Sequence, residues 1–132
     1  ESLNLRMKPD QLAGHLGMKF TEMTDTTLSV EVEISKIHSR PGGIMSGGTT
    51  LAVIETVGSV AGMATIDVKT QDIFGIEVNA NHVRQVKIGQ TISATASPEH
   101  IGRTTQIWNV KITSENKLVC TGRITLMTMP KS

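Results

Sequence analysis

Aromatic side chains are almost missing from these 132 residues: two phenylalanines, one tryptophan and no tyrosine. Single-stranded nucleic acid is held on stacked aromatics, and duplexes on basic surfaces. With a net charge of +1 and no block of lysine or arginine, the chain has neither, and no nucleic-acid partner is expected. Cysteine is also scarce. The single Cys120 excludes an internal disulfide and a cysteine-rich zinc site, and its alternating apolar surroundings read as a core thiol. His15, His38, His82 and His100 stand at no metal-ligand spacing, so no metal is expected; His15 and His38 read as surface or capping residues. No Ser-His-Asp order can be drawn. The stretch from Glu1 to Leu5 has no basic region followed by an apolar one, so no signal peptide is visible. The longest apolar run, Leu51 to Ile66, contains Glu55 and is short for a membrane span. The expectation is a cytoplasmic protein with no membrane partner.

Hydrophobic residues make up 38% and charged residues 19%, enough apolar side chain for a core and too few charges for a disordered chain. The length suits one domain over 1–132, with no linker or internal repeat. Lys8 to Gly17 suggests a short helix, and Met18 to Thr24 a strand. A turn at Asp25-Thr26 leads into Thr27 to Ile34, where Leu28, Val30, Val32 and Ile34 alternate with polar residues as in a half-buried strand. Beyond a glycine-rich loop, Thr49 to about Ile66 is apolar on nearly every face, which predicts a helix buried all round. Gly58 and Gly62 would let a neighbour pack tightly against it. The remainder is strand-like. Phe74, Ile76, Val78 and Ala80 are expected to share one face, as are Ile92, Ala94 and Ala96; Trp108, Val110 and Ile112; and Leu118, Cys120, Ile124 and Leu126. This order is α+β: one long buried helix wrapped by a curved antiparallel sheet.

The loop, Arg40-Pro41-Gly42-Gly43-Ile44-Met45-Ser46-Gly47-Gly48, invites a phosphate-binding reading, and spacing tests it. Gly43 and Gly48 stand as in a P-loop with Thr49 behind them, but the required lysine is missing; shifting to Gly42 and Gly47 puts Gly48 in its place. No G-x-G-x-x-G occurs. A glycine turn entering a helix remains, and such a terminus offers free N–H groups and a positive dipole end to an anion or an oxyanion. Glu55 is the lone charge in this helix. Burying a carboxylate costs several kcal/mol unless it is paired or protonated. It therefore marks a wet stripe, a structural ion pair or a functional site. Ser59, at i+4, shares its face.

Residues 40–62 resemble the core of hotdog-fold acyl-CoA thioesterases. Gly75-Ile76-Glu77-Val78-Asn79-Ala80-Asn81-His82-Val83-Arg84 and His100-Ile101-Gly102-Arg103-Thr104-Thr105-Gln106-Ile107-Trp108 are similar to the branch that holds 1,4-dihydroxy-2-naphthoyl-CoA, 4-hydroxybenzoyl-CoA and phenylacetate-pathway thioesterases. The resemblance runs from about Leu28 onward. It implies hydrolysis of an aromatic or medium-size acyl-CoA, with Glu55 as general base or nucleophile and Ser59 supporting it. The oxyanion hole would be the backbone N–H groups of Gly47 and Gly48. It further implies that His82, Val83, Arg84, Gly102, Arg103 and Thr104 touch CoA, and that no cofactor is used beyond the CoA of the substrate. Each site would draw on two subunits of a dimer or tetramer. Two positions depart from the family: Ser46 stands where histidine is usual, and Arg40 where glutamine is. Both bear on how the thioester carbonyl is polarised. A non-catalytic acyl-CoA-binding member of the fold is the alternative. A hotdog dehydratase would need a histidine-led constellation that cannot be placed here.

Overall fold

The computed structural model describes residues 2–132, so Glu1 lies outside it. Its elements are α1 (Leu12–His15), β1 (Lys19–Met23), β2 (Leu28–Glu33), β3 (Ser39–Arg40), β4 (Ile44–Met45), α2 (Gly47–Met63), β5 (Gln71–His82), β6 (Thr91–Ile101), β7 (Thr105–Ser114) and β8 (Lys117–Pro130), with single 3-10 turns at Asn4–Arg6 and Lys36–His38. Six strands form one sheet in the order β1-β2-β6-β7-β8-β5, antiparallel throughout, and α2 lies across one face.

Period-two alternation builds the inner face of the sheet. Leu28, Val30, Val32 and Ile34 are buried while Glu31 and Glu33 are exposed, as expected. Ile92, Ala94, Ala96, Trp108, Val110 and Ile112 continue the same face across β6 and β7. Against it α2 sets Val53, Ile54 and Val57, all fully buried, each worth roughly 1.5–3 kcal/mol of apolar transfer. Gly58 and Gly62 mark the closest approach. A β-carbon on Gly58 would fall 2.2 Å from Ile124 Cγ2, and one on Gly62 2.4 Å from Leu126 Cδ1, so tight packing accounts for both.

Four expectations are corrected. The first helix is only the four residues of α1, because the chain turns back on itself there: a β-carbon on Gly14 would meet the Lys8 carbonyl oxygen at 1.9 Å. The long helix runs from Gly47 to Met63 rather than from Thr49 to Ile66, and it is not buried all round. Its flank beside β5 leaves Leu51 and Met63 exposed and Ala52, Glu55 and Ser59 half-exposed. On β5, Phe74 and Ile76 do not share a face with Val78 and Ala80. Gly75 pairs Leu126 and Glu77 pairs Thr125, so Ile76 is the extra residue of a β-bulge. Phe74 and Ile76 are exposed, whereas Val78 and Ala80 are half-buried. A second irregularity, where Ile112 pairs Cys120 but Thr113 pairs Leu118, puts Val119 in the core and Leu118 outside it.

Candidate functional site

The turn between β3 and β4 requires glycine at both central positions, since Gly42 and Gly43 have φ of 100° and 74°. The hairpin delivers the chain to Ser46, which caps α2: its Oγ accepts the Gly48 N–H at 3.2 Å. The cap is itself anchored. Ser46 N–H donates to the His38 carbonyl at 2.8 Å, and Thr49 Oγ1 donates to the same oxygen at 2.9 Å. The His38 ring is buried and accepts the Ser35 N–H on Nδ1 at 2.9 Å. Its proton is therefore on Nε2, which donates to the Leu16 carbonyl at 2.6 Å. His38 is a capping residue, as expected, and also the hub that ties the N-terminal segment to the start of α2.

Ser46 changes the account of the two glycine amides. Gly48 N–H is engaged by the cap, whereas no acceptor among the described residues takes Gly47 N–H. Beside it lies His82, from the end of β5; a β-carbon on Gly47 would sit 3.3 Å from His82 Cε1. Thr50, fully buried, donates its hydroxyl to Gly47 O at 2.8 Å and also contacts His82 Nε2. With its one hydrogen spent on Gly47 O, the hydroxyl accepts from the ring, so His82 carries its proton on Nε2. A cavity of about 350 Å³ opens here, lined by Arg40, Gly47, His82, Val83 and Arg84 among others. Arg40, Ser46, Gly47, His82, Val83 and Arg84 thus gather at one end of the sheet.

Gly102, Arg103 and Thr104 do not join them. They form the turn between β6 and β7, at the level where Thr105 pairs Met127; His82 pairs Cys120. Seven residues of β8 separate those levels, roughly 23 Å along a strand. Glu55 is also apart from the cap. It stands eight residues after Gly47, about 12 Å along the helix axis. Its carboxylate is half-exposed, lies against Gly75 of β5, and has no hydrogen-bond or ion-pair partner among the described residues. Ser59 occupies the next turn on the same flank, with no hydrogen bond to Glu55. Cys120 is buried, and burial pushes its thiol up, which suits a core residue and not a nucleophile.

Sequence reasoning missed Thr50, His38 as a hub, and Gly75. Only Gly75 carried a local signal, since a lone glycine inside a strand marks a bulge or a close backbone approach. Among the described residues there is no cluster of histidine, cysteine and carboxylate side chains able to hold a metal, and no helix long and apolar enough to cross a membrane.

Comparison with known proteins gives a consistent picture. The family model for the thioesterase superfamily matches residues 42–121. A 1,4-dihydroxy-2-naphthoyl-CoA hydrolase from Escherichia coli K12 is 32% identical over 126 residues, covering 95% of this chain and 90% of the relative. Among solved structures, a mutant thioesterase from Pseudomonas aeruginosa superposes with a TM-score of 0.93 at 27% identity, covering 98% of this chain and 94% of that one. A thioesterase from Haemophilus influenzae gives 0.91 at 31% identity, covering 97% and 88%. The helix wrapped by an antiparallel sheet is the hotdog fold that the sequence resemblance implied.

Proposed function

The chain belongs to the thioesterase superfamily, and from that premise we propose that it hydrolyses an acyl-CoA thioester, aromatic or medium in size, to the free acid and CoA. The observation that carries this reading is the unpartnered Glu55 carboxylate on the open flank of α2. Among the described residues it has no structural partner to explain it, and it is free to take a proton from water or to attack a thioester directly. The amide of Gly47, at the positive end of α2, supplies the oxyanion contact. His82, Arg84 and Arg40 supply cationic or donor groups for CoA phosphates.

One chain cannot do this alone. A reacting carbonyl contacts both its attacking group and its oxyanion donor within about 3 Å, whereas Gly47 and Glu55 are about 12 Å apart along the helix. A second copy closes the gap. β5 is a twelve-residue edge strand without lysine or proline, and it exposes Phe74 and Ile76, a profile suited to pairing with itself. His82 lies over Gly47 and Gly75 under Glu55. An antiparallel β5–β5 pair centred on Asn79 facing the partner's Asn79, with the extra Ile76 of each bulge skipped, sets Gly75 opposite the partner's His82 and carries each Gly47 to the other copy's Glu55. The same pairing brings the Gly102–Thr104 turn of one copy toward the His82–Arg84 end of the other, which supports both stretches serving one CoA.

Thiol release from a panel of aliphatic and aromatic acyl-CoAs tests the reading. Wild type should turn over at least one of them, and Glu55→Gln should lose that turnover while still binding CoA. Binding without hydrolysis by wild type would make the protein a non-catalytic acyl-CoA binder. Full activity in Glu55→Gln would remove the carboxylate from the mechanism.

A further inference from the structure

We propose that Gly75 is the positioning residue for Glu55, its missing side chain being the space in which the carboxylate is seated. This rests on Glu55 as the reacting carboxylate. A β-carbon built on Gly75 would lie 2.6 Å from Glu55 Oε1, 2.9 Å from Oε2 and 3.1 Å from Cδ. Two of those three distances are shorter than real β-carbons make. Backbone conformation does not explain the glycine, because Gly75 is not among the residues with positive φ, and alanine could adopt its geometry. Space alone explains it.

What fills that space sets Gly75 apart from the core glycines. At Gly58 and Gly62 the occupants are the side chains of Ile124 and Leu126, and at Gly122 it is the Asn79 carbonyl oxygen. At Gly75 it is both oxygens of a carboxylate. The bulge contributes as well: with Ile76 as the extra residue, β5 bends next to Gly75, and such bulges recur where a strand must re-aim groups at a site. No polar group among the described residues ties the carboxylate down. Its place is therefore set by the α2 backbone behind it and the bare α-carbon in front.

A methyl group at position 75 must displace the carboxylate by about 0.8 Å to restore a 3.4 Å contact from 2.6 Å. A misplacement near 1 Å costs about 100-fold in rate. Gly75→Ala should therefore lower kcat by about 100-fold with KM within about threefold of wild type. Glu55→Asp withdraws the carboxylate from the methyl, so its rate penalty should be smaller in the Gly75→Ala background than in wild type. Stability gives a second, activity-free readout. Any destabilisation by Gly75→Ala should vanish in the Glu55→Ala background, where the methyl has room. Wild-type kcat in Gly75→Ala, strictly independent rate losses, or a stability loss that persists without Glu55 would each overturn the proposal. The two readings fail differently. An active Glu55→Gln sinks the enzymatic role while leaving the 55–75 stability coupling intact; a dead Glu55→Gln beside a fully active Gly75→Ala sinks the positioning role alone.

Discussion

Gly47 occupies the first position of α2, where an N–H has no partner within the helix and proline is well tolerated. The residue before it, Ser46, has φ −73° and ψ 141°, the extended conformation that a following proline demands. Gly47→Pro thus deletes one amide hydrogen while suiting the local backbone, and its β-carbon meets the exposed His82 ring at 3.3 Å. The expected result is a kcat lowered by about 10²–10³-fold, the usual cost of one oxyanion donor, with an unfolding midpoint near wild type. Steady-state kinetics beside urea unfolding check it. Unchanged kcat would shift the oxyanion contact away from this amide. At this scale the sequence was partly legible: Glu55 is conspicuous as one charge in an apolar run. Its neighbour Gly75 is twenty residues distant, and nothing local reveals that the two meet.

Among the elements, the loop before α2 is anchored at its two ends by His38, whose ring satisfies the Leu16 carbonyl and the Ser35 N–H while its own carbonyl takes Ser46 N–H and Thr49 Oγ1. His38→Ala leaves a buried carbonyl and an amide without partners, and should cost about 2–4 kcal/mol of stability, read from the urea midpoint at unchanged m-value. A loss below about 0.5 kcal/mol would remove His38 as the anchor. Strands with clean alternation, β2, β6 and β7, were legible because each has one wet and one dry face. β5 misled at its bulge, since one inserted residue reverses the side-chain alternation beyond it. The helix misled for a different reason: an all-round apolar pattern implies full burial, and among the described residues one flank of α2 is only partly covered. That flank carries Glu55.

For the whole molecule, the separation of Gly47 from Glu55 predicts complementation. On the two-copy reading, co-refolding Glu55→Gln with Gly47→Pro, each expected to be nearly inactive alone, should yield mixed dimers that hold one site with both wild-type groups. Random assortment makes half the dimers mixed with one working site of two, so about a quarter of the wild-type rate should return. A mixture no more active than its components would place each site within one chain. Sites divided in this way would also make the catalyst's potency a function of its own abundance. On the two-copy reading, dilution below the dissociation constant of the pair separates the amide from the carboxylate, so rate per mole falls by mass action and returns on concentrating the sample, with no effector involved. The long unpaired edge of β5 would then be where the cell's level of this protein is converted into turnover.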